Sequence, residues 1–178
     1  LLSVARRAPF VFEVRDILPQ QAVDVGMIRN RFLIRVLYAI ESFLYRRAAA
    51  VVAVAEASRR ALVARGFLDD KFFTIENGID AEHFVPGPRD NEVRREFGWE
   101  DRFVAMFVGA HGVSQGLFAL LEAAANLRDL DNVLFVFVGE GAERPAMQAW
   151  VEERGLGNVQ FLPVQEKARM PLVYAAAD

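Results

Sequence analysis

The stretch FVAMFVGAHGVSQGL, residues 103–117, places an apolar run directly before a loop with glycine at positions 109, 112 and 116. An unbroken apolar run of this length is typical of a strand buried on both faces of a parallel sheet. The glycines predict a tight turn from that strand into a helix capped by Ser114. At such a turn the backbone can approach a ligand closely, and the N–H groups of the first helical turn attract anions. The stretch therefore predicts either a diphosphate site or an ordinary tight turn.

Further short apolar runs alternate with segments of helical period along the whole chain. The predicted strands are 9–14, 49–54, 71–75, 103–108, 133–138 and 159–162. The predicted helices are 28–44, 56–65, a short one that Asp90 caps and Gly98 ends, 114–128, 143–154 and 167–177. This alternation predicts an α/β fold with parallel sheets and right-handed crossovers.

Composition excludes several classes of protein. The 178 residues are 53% hydrophobic and 25% charged, which is typical of a chain that buries a core. The chain has no cysteine and two histidines, so we expect no disulfide, no thiolate nucleophile and no metal site. A net charge of −3 is not that of a nucleic-acid-binding protein, so no nucleic-acid partner is predicted. No apolar run reaches about 18 residues, and a cytoplasmic location is predicted.

Candidate functional residues follow the strands. Glu140, between two glycines at the end of 133–138, is placed to accept from ribose hydroxyls, or it is a solvated glutamate favoured by a helix dipole. His111 puts an imidazole beside the predicted phosphate, or it is a surface or satisfied histidine. Arg15 and Asp16 directly follow 9–14 and form a catalytic or acceptor-binding spot, or a structural ion pair.

Segment 28–47 is basic and amphipathic. It carries five arginines against one glutamate, Glu41. Such a helix lies peripherally on an anionic membrane, or it covers a sheet and keeps its arginines in water.

Six stretches together resemble the family 4 retaining glycosyltransferases of the GT-B fold, in the bacterial colanic-acid and O-antigen branch. They are FEVRDILPQ (12–20), YRRAAAVVAVAEASRRALVARG (45–66), FTIENGIDAEHFVPG (73–87), GAHGVSQGL (109–117), FVFVGEGAER (135–144) and FLPVQEKARMPLVYAAAD (161–178). Each is weak alone, but the order and spacing of all six match the family.

The resemblance implies two Rossmann-like halves with parallel sheets, each incomplete. Residues 1–82 resemble the last three strands of the first, acceptor-side domain, and 83–100 the connection between domains. Residues 101–178 resemble the first three strands of the second, donor-side domain. We therefore expect an internal fragment that is inactive by itself. In the doubly wound order 3-2-1-4-5-6, strands 9–14 and 103–108 each lack a neighbour, which predicts self-association through those edges.

The resemblance also assigns roles to residues. The donor diphosphate residues are Gly109, His111, Gly112, Gln115 and Gly116, where His111 and Gln115 replace an arginine and a lysine of many members. The nucleoside-binding residues are Glu140, Gly141, Val164, Gln165 and Lys167. Asp16 is implied near the reacting centre, with Arg15 in place of a histidine.

The implied activity is transfer of a sugar, with retention, from a nucleoside-diphosphate-sugar to a saccharide or polyprenyl-linked acceptor in cell-envelope polysaccharide synthesis. The nucleotide-sugar is the substrate, and no metal or further cofactor is expected. Three alternatives stay open: a nucleotide-sugar epimerase of the same fold, a non-catalytic nucleotide-binding module, and a dinucleotide-dependent oxidoreductase. The glycine spacing, which is not G-x-G-x-x-G, disfavours the last of these.

Overall fold

The computed structural model describes residues 8–67 and 69–178 and divides the chain into two units, Leu1–Gly78 and Ile79–Asp178. The sequence places this division at residue 82, with a linker over 83–100. In the structure, residues of that segment belong to the core of the second unit: Val93 and Trp99 are fully buried there.

The first unit is built around a parallel sheet. Its elements, in chain order, are β1 (Val11–Val14), α1 (Gln20–Asp24), α2 (Arg31–Arg47), β2 (Ala50–Ala53), α3 (Glu56–Ala64), a 3₁₀ turn (Asp69–Lys71) and β3 (Phe72–Thr74). The strand order is β1-β2-β3, with Val11 opposite Ala50 and Val51 opposite Phe72. Tyr45, Val51 and Leu62 lie in the core between this sheet and its helices.

The helix α2 leaves part of its apolar surface exposed. Phe32 is 73% and Phe43 62% exposed, whereas Leu37 and Ile40 border a cavity at β1. The buried residues of the helix are Glu41 and Tyr45. The amphipathic segment 28–47 therefore covers the sheet with only part of its apolar side chains.

A buried ion pair replaces apolar packing under α2. Arg65 donates to both carboxylate oxygens of Glu41, at 3.0 Å to Oε1, and the Tyr45 hydroxyl donates to Oε1 at 3.0 Å. The carboxylate is 6% exposed. Because a buried charge is tolerated only when it is paired and hydrogen-bonded, this network explains how a glutamate occupies an inward position.

The second unit repeats the architecture. Its elements are α4 (Glu92–Phe97), β4 (Phe103–Val108), a 3₁₀ turn (Val113–Gln115), α5 (Phe118–Asn126), β5 (Val133–Val138), α6 (Arg144–Glu153), β6 (Val159–Leu162), a 3₁₀ turn (Lys167–Arg169) and α7 (Met170–Ala175). The sheet is parallel, in the order β4-β5-β6. Leu134 and Val136 face one core, and Phe135 and Phe137 face the other. Burial on both faces is what the unbroken apolar runs predict.

Two predicted caps are wrong. The side chain of Asn91, not that of Asp90, accepts from the amides of Val93 and Arg94 at the start of α4. Ser114 lies inside a 3₁₀ turn, and α5 begins four residues later without a side-chain cap. The predicted stop at Gly98 is confirmed, since this residue ends α4 in the left-handed conformation with φ +70°.

The strand orders agree with the doubly wound pattern, because β1 and β4 each lie at an edge of a three-stranded sheet. Self-association through these edges stays a prediction. Within residues 8–67 and 69–178, none of the helices is both long and apolar enough to cross a bilayer.

Candidate nucleotide site at the carboxyl edge of the second sheet

Three loops meet where β4, β5 and β6 end. Hydrogen bonds carry the ladder beyond the strands: the Gly109 amide donates to Val138 O at 3.0 Å, and the Gly139 amide donates to Leu162 O at 3.1 Å. Further along, the His111 amide donates to Glu140 O at 2.9 Å. Backbone hydrogen bonds therefore hold the three loops in register.

Two glycines make this approach possible. A Cβ atom added to Gly139 would lie 2.0 Å from the carbonyl oxygen of Gly109, and one added to Gly141 would lie 2.3 Å from that of His111. Gly139 also has φ +137°, which side chains rarely allow. Loop 139–141 thus requires glycine on either side of Glu140, because backbone of the neighbouring loop occupies the space.

The loops border a depression of about 280 Å³. Gly109, Glu140, Val164 and Gln165, all predicted site residues, line it together with Val108, Ala110, Val138, Gly139 and Met170. Of the other predicted residues, Gly141 lies directly behind this edge against His111. Three of the five predicted nucleoside residues, Glu140, Val164 and Gln165, thus come together at the depression, whereas Gly141 and Lys167 do not line it.

His111 lies in the interior rather than on the open loop surface. Its side chain has no solvent exposure and packs against Phe107, Phe137 and Phe161, with ring centroids 6.1–6.4 Å apart. Among the described residues, neither ring nitrogen has a hydrogen-bond partner. Burial, followed by the nearby Arg144 guanidinium, lowers the pKa of His111 below its usual 6.5. The neutral ring therefore anchors the loop, and contact of this ring with a diphosphate stays a prediction.

The rest of loop 109–116 presents backbone and small side chains. Gln115 closes the 3₁₀ turn, and Gly116 follows it in the left-handed conformation with φ +62°. The stretch contains no lysine or arginine. Anion binding by this loop stays a prediction, and its donors would be main-chain N–H groups of Gly112 and its neighbours at the start of the turn.

Glu140 is held by a residue that the sequence analysis did not select. Arg144 Nη1 donates to Glu140 Oε1 at 2.7 Å, to Leu162 O at 2.9 Å and to Gly139 O. The arginine side chain is 12% exposed and the glutamate side chain 56% exposed. The i, i+4 spacing of Glu140 and Arg144 at the start of a helix is the sequence feature that could have predicted this ion pair.

The third loop is more open. Val164 is 68% exposed. The side-chain amide of Gln165 donates through Nε2 to Pro163 O at 3.0 Å. The side chain of Lys167 is exposed. The backbone carbonyl oxygen of Lys167 lies 3.0 Å from Nε2 of His83. His83, which gave no functional signal in the sequence, thus ties the segment after Ile79 to this loop.

Arg15 and Asp16 lie at the equivalent edge of the first sheet, and both are exposed. Arg15 forms a loose ion pair with Glu13 at 3.6 Å rather than with Asp16. The two predicted residues border a cavity of about 490 Å³ that α2 closes with Leu37, Ile40 and other apolar side chains. Across the described ranges, no group of three or more acidic or histidine side chains has the arrangement of a metal site.

Two three-stranded parallel sheets with helical crossovers, the second ending in paired glycine loops, define a Rossmann-like α/β protein of the GT-B type. The model of the family "Glycosyl transferases group 1" matches residues 89–178, and the "Glycosyl transferase 4-like domain" matches residues 1–78. The chain belongs to the glycosyl transferases group 1.

Two curated proteins are similar in sequence to part of this chain. WcaI of Escherichia coli K12, named as a glycosyl transferase of colanic acid biosynthesis, is 29% identical over 119 residues, which are 58% of this chain and 29% of WcaI. The 2-deoxystreptamine glucosyltransferase of Streptomyces kanamyceticus is 30% identical over 149 residues, 79% of this chain and 38% of that protein.

Solved structures share the fold. Anabaena Alr3699/HepE, solved with UDP and glucose, has a TM-score of 0.77 at 23% identity and covers 99% of this chain, which corresponds to 46% of HepE. WaaG, a glycosyltransferase involved in lipopolysaccharide biosynthesis, has a TM-score of 0.70 at 21% identity, covering 96% of this chain and 49% of WaaG. The chain thus spans less than half the length of the relatives it matches.

Proposed function

We propose that this chain supplies the donor-nucleotide site and part of the acceptor side of a glycosyltransferase. The enzyme transfers a hexosyl group, with retention, from a nucleoside-diphosphate-sugar to a saccharide or lipid-linked acceptor of the cell envelope. The observation that carries the proposal is the backbone contact of Gly139 with Gly109 and of Gly141 with His111, which forms the depression beside Glu140. Family membership and the relatives named for colanic acid and lipopolysaccharide synthesis support it.

In this proposal the second unit binds the donor. Glu140 accepts from the ribose hydroxyls, Gly141 keeps its loop against the first one, and the loop after β6 borders the base through Val164, Gln165 and Lys167. The diphosphate lies over 109–116, where unpaired main-chain N–H groups stabilise the charge that grows on it as the sugar leaves. His111 shapes this loop from beneath. Uridine is the base we test first, because HepE was solved with UDP.

The first unit contributes to the acceptor side. Asp16 is exposed at the carboxyl end of β1, and Arg15 beside it offers a positive charge at the mouth of the 490 Å³ cavity. A carboxylate in this position can take a proton from an acceptor hydroxyl as that hydroxyl attacks the sugar. The reaction needs no metal or further cofactor in this proposal, and whether this chain alone is inactive stays a prediction.

The cytoplasmic location and a peripheral membrane contact through 28–47 belong to the same proposal. Phe32, Ile40 and Phe43 are at least half exposed on α2, and arginines flank them. An apolar surface with a basic border binds anionic lipid, where a lipid-linked acceptor is found.

The test is a transfer assay with the complete native protein. UDP-, GDP- and dTDP-sugars are supplied with and without a lipid-linked saccharide extract, and released nucleoside diphosphate and product are measured. Acceptor-dependent release, with a product whose anomeric configuration by NMR equals that of the donor, is expected. Sugar isomerisation without acceptor would instead favour the epimerase, whose fold is similar in the UDP-N-acetylglucosamine 2-epimerase of Rickettsia bellii (TM-score 0.54). Nucleotide binding without turnover would favour the non-catalytic module.

A further inference from the structure

Arg144 joins the ends of two neighbouring strands. Its Nη1 donates to the carbonyl oxygen of Gly139, directly after β5, and to that of Leu162, the last residue of β6, at 2.9 Å. The guanidinium also lies 5.9 Å from the ring of Phe161. Leu162 O already accepts from the Gly139 amide, so the charged donor adds a second hydrogen bond at this point and links the ends of both strands.

The same guanidinium fixes the orientation of Glu140. The 2.7 Å bond to Oε1 restrains the side chain, while 56% of it stays exposed at the depression. A free glutamate loses rotamer freedom when it binds a ligand. Arg144 imposes that loss before the ligand arrives, and such preorganisation increases affinity.

Arg144 itself stands behind the site. It is 12% exposed and is not among the residues that line the depression. Because it is nearly buried and its Nη1 is directed at Gly139 O, Leu162 O and Glu140, it acts on a ligand through Glu140 and loop 139–141 rather than by direct contact. This distinguishes it from a cation that neutralises a diphosphate.

We propose that Arg144 is a positioning residue for the donor nucleoside, holding Glu140 and loop 139–141 in the geometry that receives the ribose. The inference rests on the proposed function, since it requires that a nucleoside binds beside Glu140. The inference adds Arg144 to the residues of the proposed site. The effect of Arg144 on nucleotide affinity is expected to depend on Glu140 and not on the number of phosphates on the nucleotide.

The experiment measures nucleotide affinity by calorimetry in the complete native protein. UDP, GDP and dTDP are titrated first, and the one that binds is compared with its monophosphate. Arg144→Gln is expected to raise the Kd of diphosphate and monophosphate by the same factor, about tenfold, the usual effect of losing a charge-assisted hydrogen bond. Arg144→Lys, which keeps the charge but not the planar fork, is expected to cost about threefold. The matched control is Arg154→Gln, directly after the last residue of the same helix. The partners of Arg154 are Trp150 and Glu153, and the variant is expected to leave both Kd values unchanged.

A double-mutant cycle with Glu140→Gln tests the route of the effect. If Arg144 acts through Glu140, Arg144→Gln adds little to Glu140→Gln, whereas a general loss of stability makes the two effects additive. If Arg144→Gln does not fold, the same cycle is run with Arg144→Lys.

Three results would overturn the inference: an unchanged Kd, an additive cycle, or a loss confined to the diphosphate, which would make Arg144 a direct phosphate ligand. Failure of the wild-type protein to bind any of the three diphosphates would instead contradict the proposed function itself.

Discussion

Arg94 and Asp178 form an ion pair across 84 residues: Nη1 of the fully buried guanidinium donates to Oδ2 at 3.0 Å. The same carboxylate accepts from the amide of Val104 at 2.9 Å, so it fixes the start of β4. Arg94 also donates to the carbonyl oxygens of Trp99 and Ala176. The edge of the second sheet that lies opposite the candidate nucleotide site therefore depends on one buried cation and its partners.

Replacing Asp178 by alanine is expected to destabilise the second unit by about 3 kcal/mol. The buried Arg94 guanidinium would then keep only Asp90 as an acidic neighbour, which is 78% exposed and 3.9 Å from Nε. Burial alone would raise the pKa of Asp178, but hydrogen bonds from Val104, Arg89 and Arg94 outweigh it and lower the pKa to about 2. Urea unfolding of the complete native protein measures the effect. Asp129→Ala, at an exposed position of the same unit, serves as the control, and equal losses in both variants would contradict the role of the ion pair.

The free energy of unfolding of the second unit is expected to decrease as the pH is lowered below about 6.5, the usual pKa of a histidine. The lowered pKa of His111 means that the unfolded chain binds a proton more readily than the folded one. The neutral ring thus contributes its full stability above the unfolded pKa, and this stability is lost as the pH falls toward the folded pKa. The Asp178 contribution, with a folded pKa of about 2, is lost only at more acidic pH.

Urea midpoints at pH 7.5, 6.5 and 5.5 measure this dependence. His111→Phe is expected to flatten it, whereas His83→Gln, at a partly exposed histidine, is expected to leave it in place. A dependence that persists in His111→Phe would assign it to another group.

Gly141→Ala is expected to cost about 3 kcal/mol or to prevent the second unit from folding, because the new Cβ would lie 2.3 Å from His111 O and 2.6 Å from His111 C. Neither atom can move without shifting the backbone of the first loop. Gly157→Ala is the matched control, since a Cβ there meets nothing within 4 Å. Thermal unfolding of both variants decides, and a tolerated Gly141→Ala would mean that the two loops do not touch.

Phe32→Ser together with Phe43→Ser is expected to leave the free energy of unfolding within about 0.5 kcal/mol of wild type, because both rings are more than 60% exposed. If α2 contacts lipid, the same variant binds vesicles of anionic phospholipid about tenfold more weakly, as loss of buried apolar area requires. Co-sedimentation with anionic and with zwitterionic vesicles measures this. Vesicle binding that is unchanged in the double variant would contradict a membrane contact through 28–47.

Asp16→Asn is expected to reduce kcat of the complete enzyme about 100-fold if the carboxylate acts as a proton acceptor. Since Asp16 is exposed and its carboxylate has no ion pair within the described residues, the free energy of unfolding should not change. Asp70→Asn, also exposed in the first unit, is the control. Transfer rates at saturating donor and acceptor provide the measurement, and a fully active Asp16→Asn would remove Asp16 from the reaction.

The strands of the second sheet could be predicted to the residue. Phe103–Val108, Val133–Val138 and Val159–Leu162 begin and end where the apolar runs do, because strands covered on both faces carry mostly apolar side chains. The exception is Gln160, whose Oε1 accepts from the Trp99 indole at 2.8 Å. The meeting of Glu140 with Val164 and Gln165 at one edge followed from the same pattern, since the carboxyl ends of parallel strands lie together.

Other features depend on contacts that a linear pattern does not contain. Glu41 faces the interior because Arg65, 24 residues away, supplies its counter-charge. His111 is buried because three phenylalanines from three different strand regions surround it. Arg144 reaches Leu162 across 18 residues. The placement of each of these three residues depends on a partner that is distant in the sequence. The local sequence pattern alone therefore predicted a different role for the residue, or no role at all.

The close approach of Gly139 to Gly109 and of Gly141 to His111 limits which positions of the proposed nucleotide site can change. In the segment 139–141, Glu140 alone displays a side chain, and its two neighbours cannot acquire one. If the proposed site binds a nucleotide, changes of nucleotide preference in this segment are open to position 140, and the exposed loop at Val164 and Gln165 has room for larger side chains. The paired glycines of loop 139–141 cannot be replaced without moving the neighbouring backbone, whereas the side chains of the loop at Val164 and Gln165 can vary.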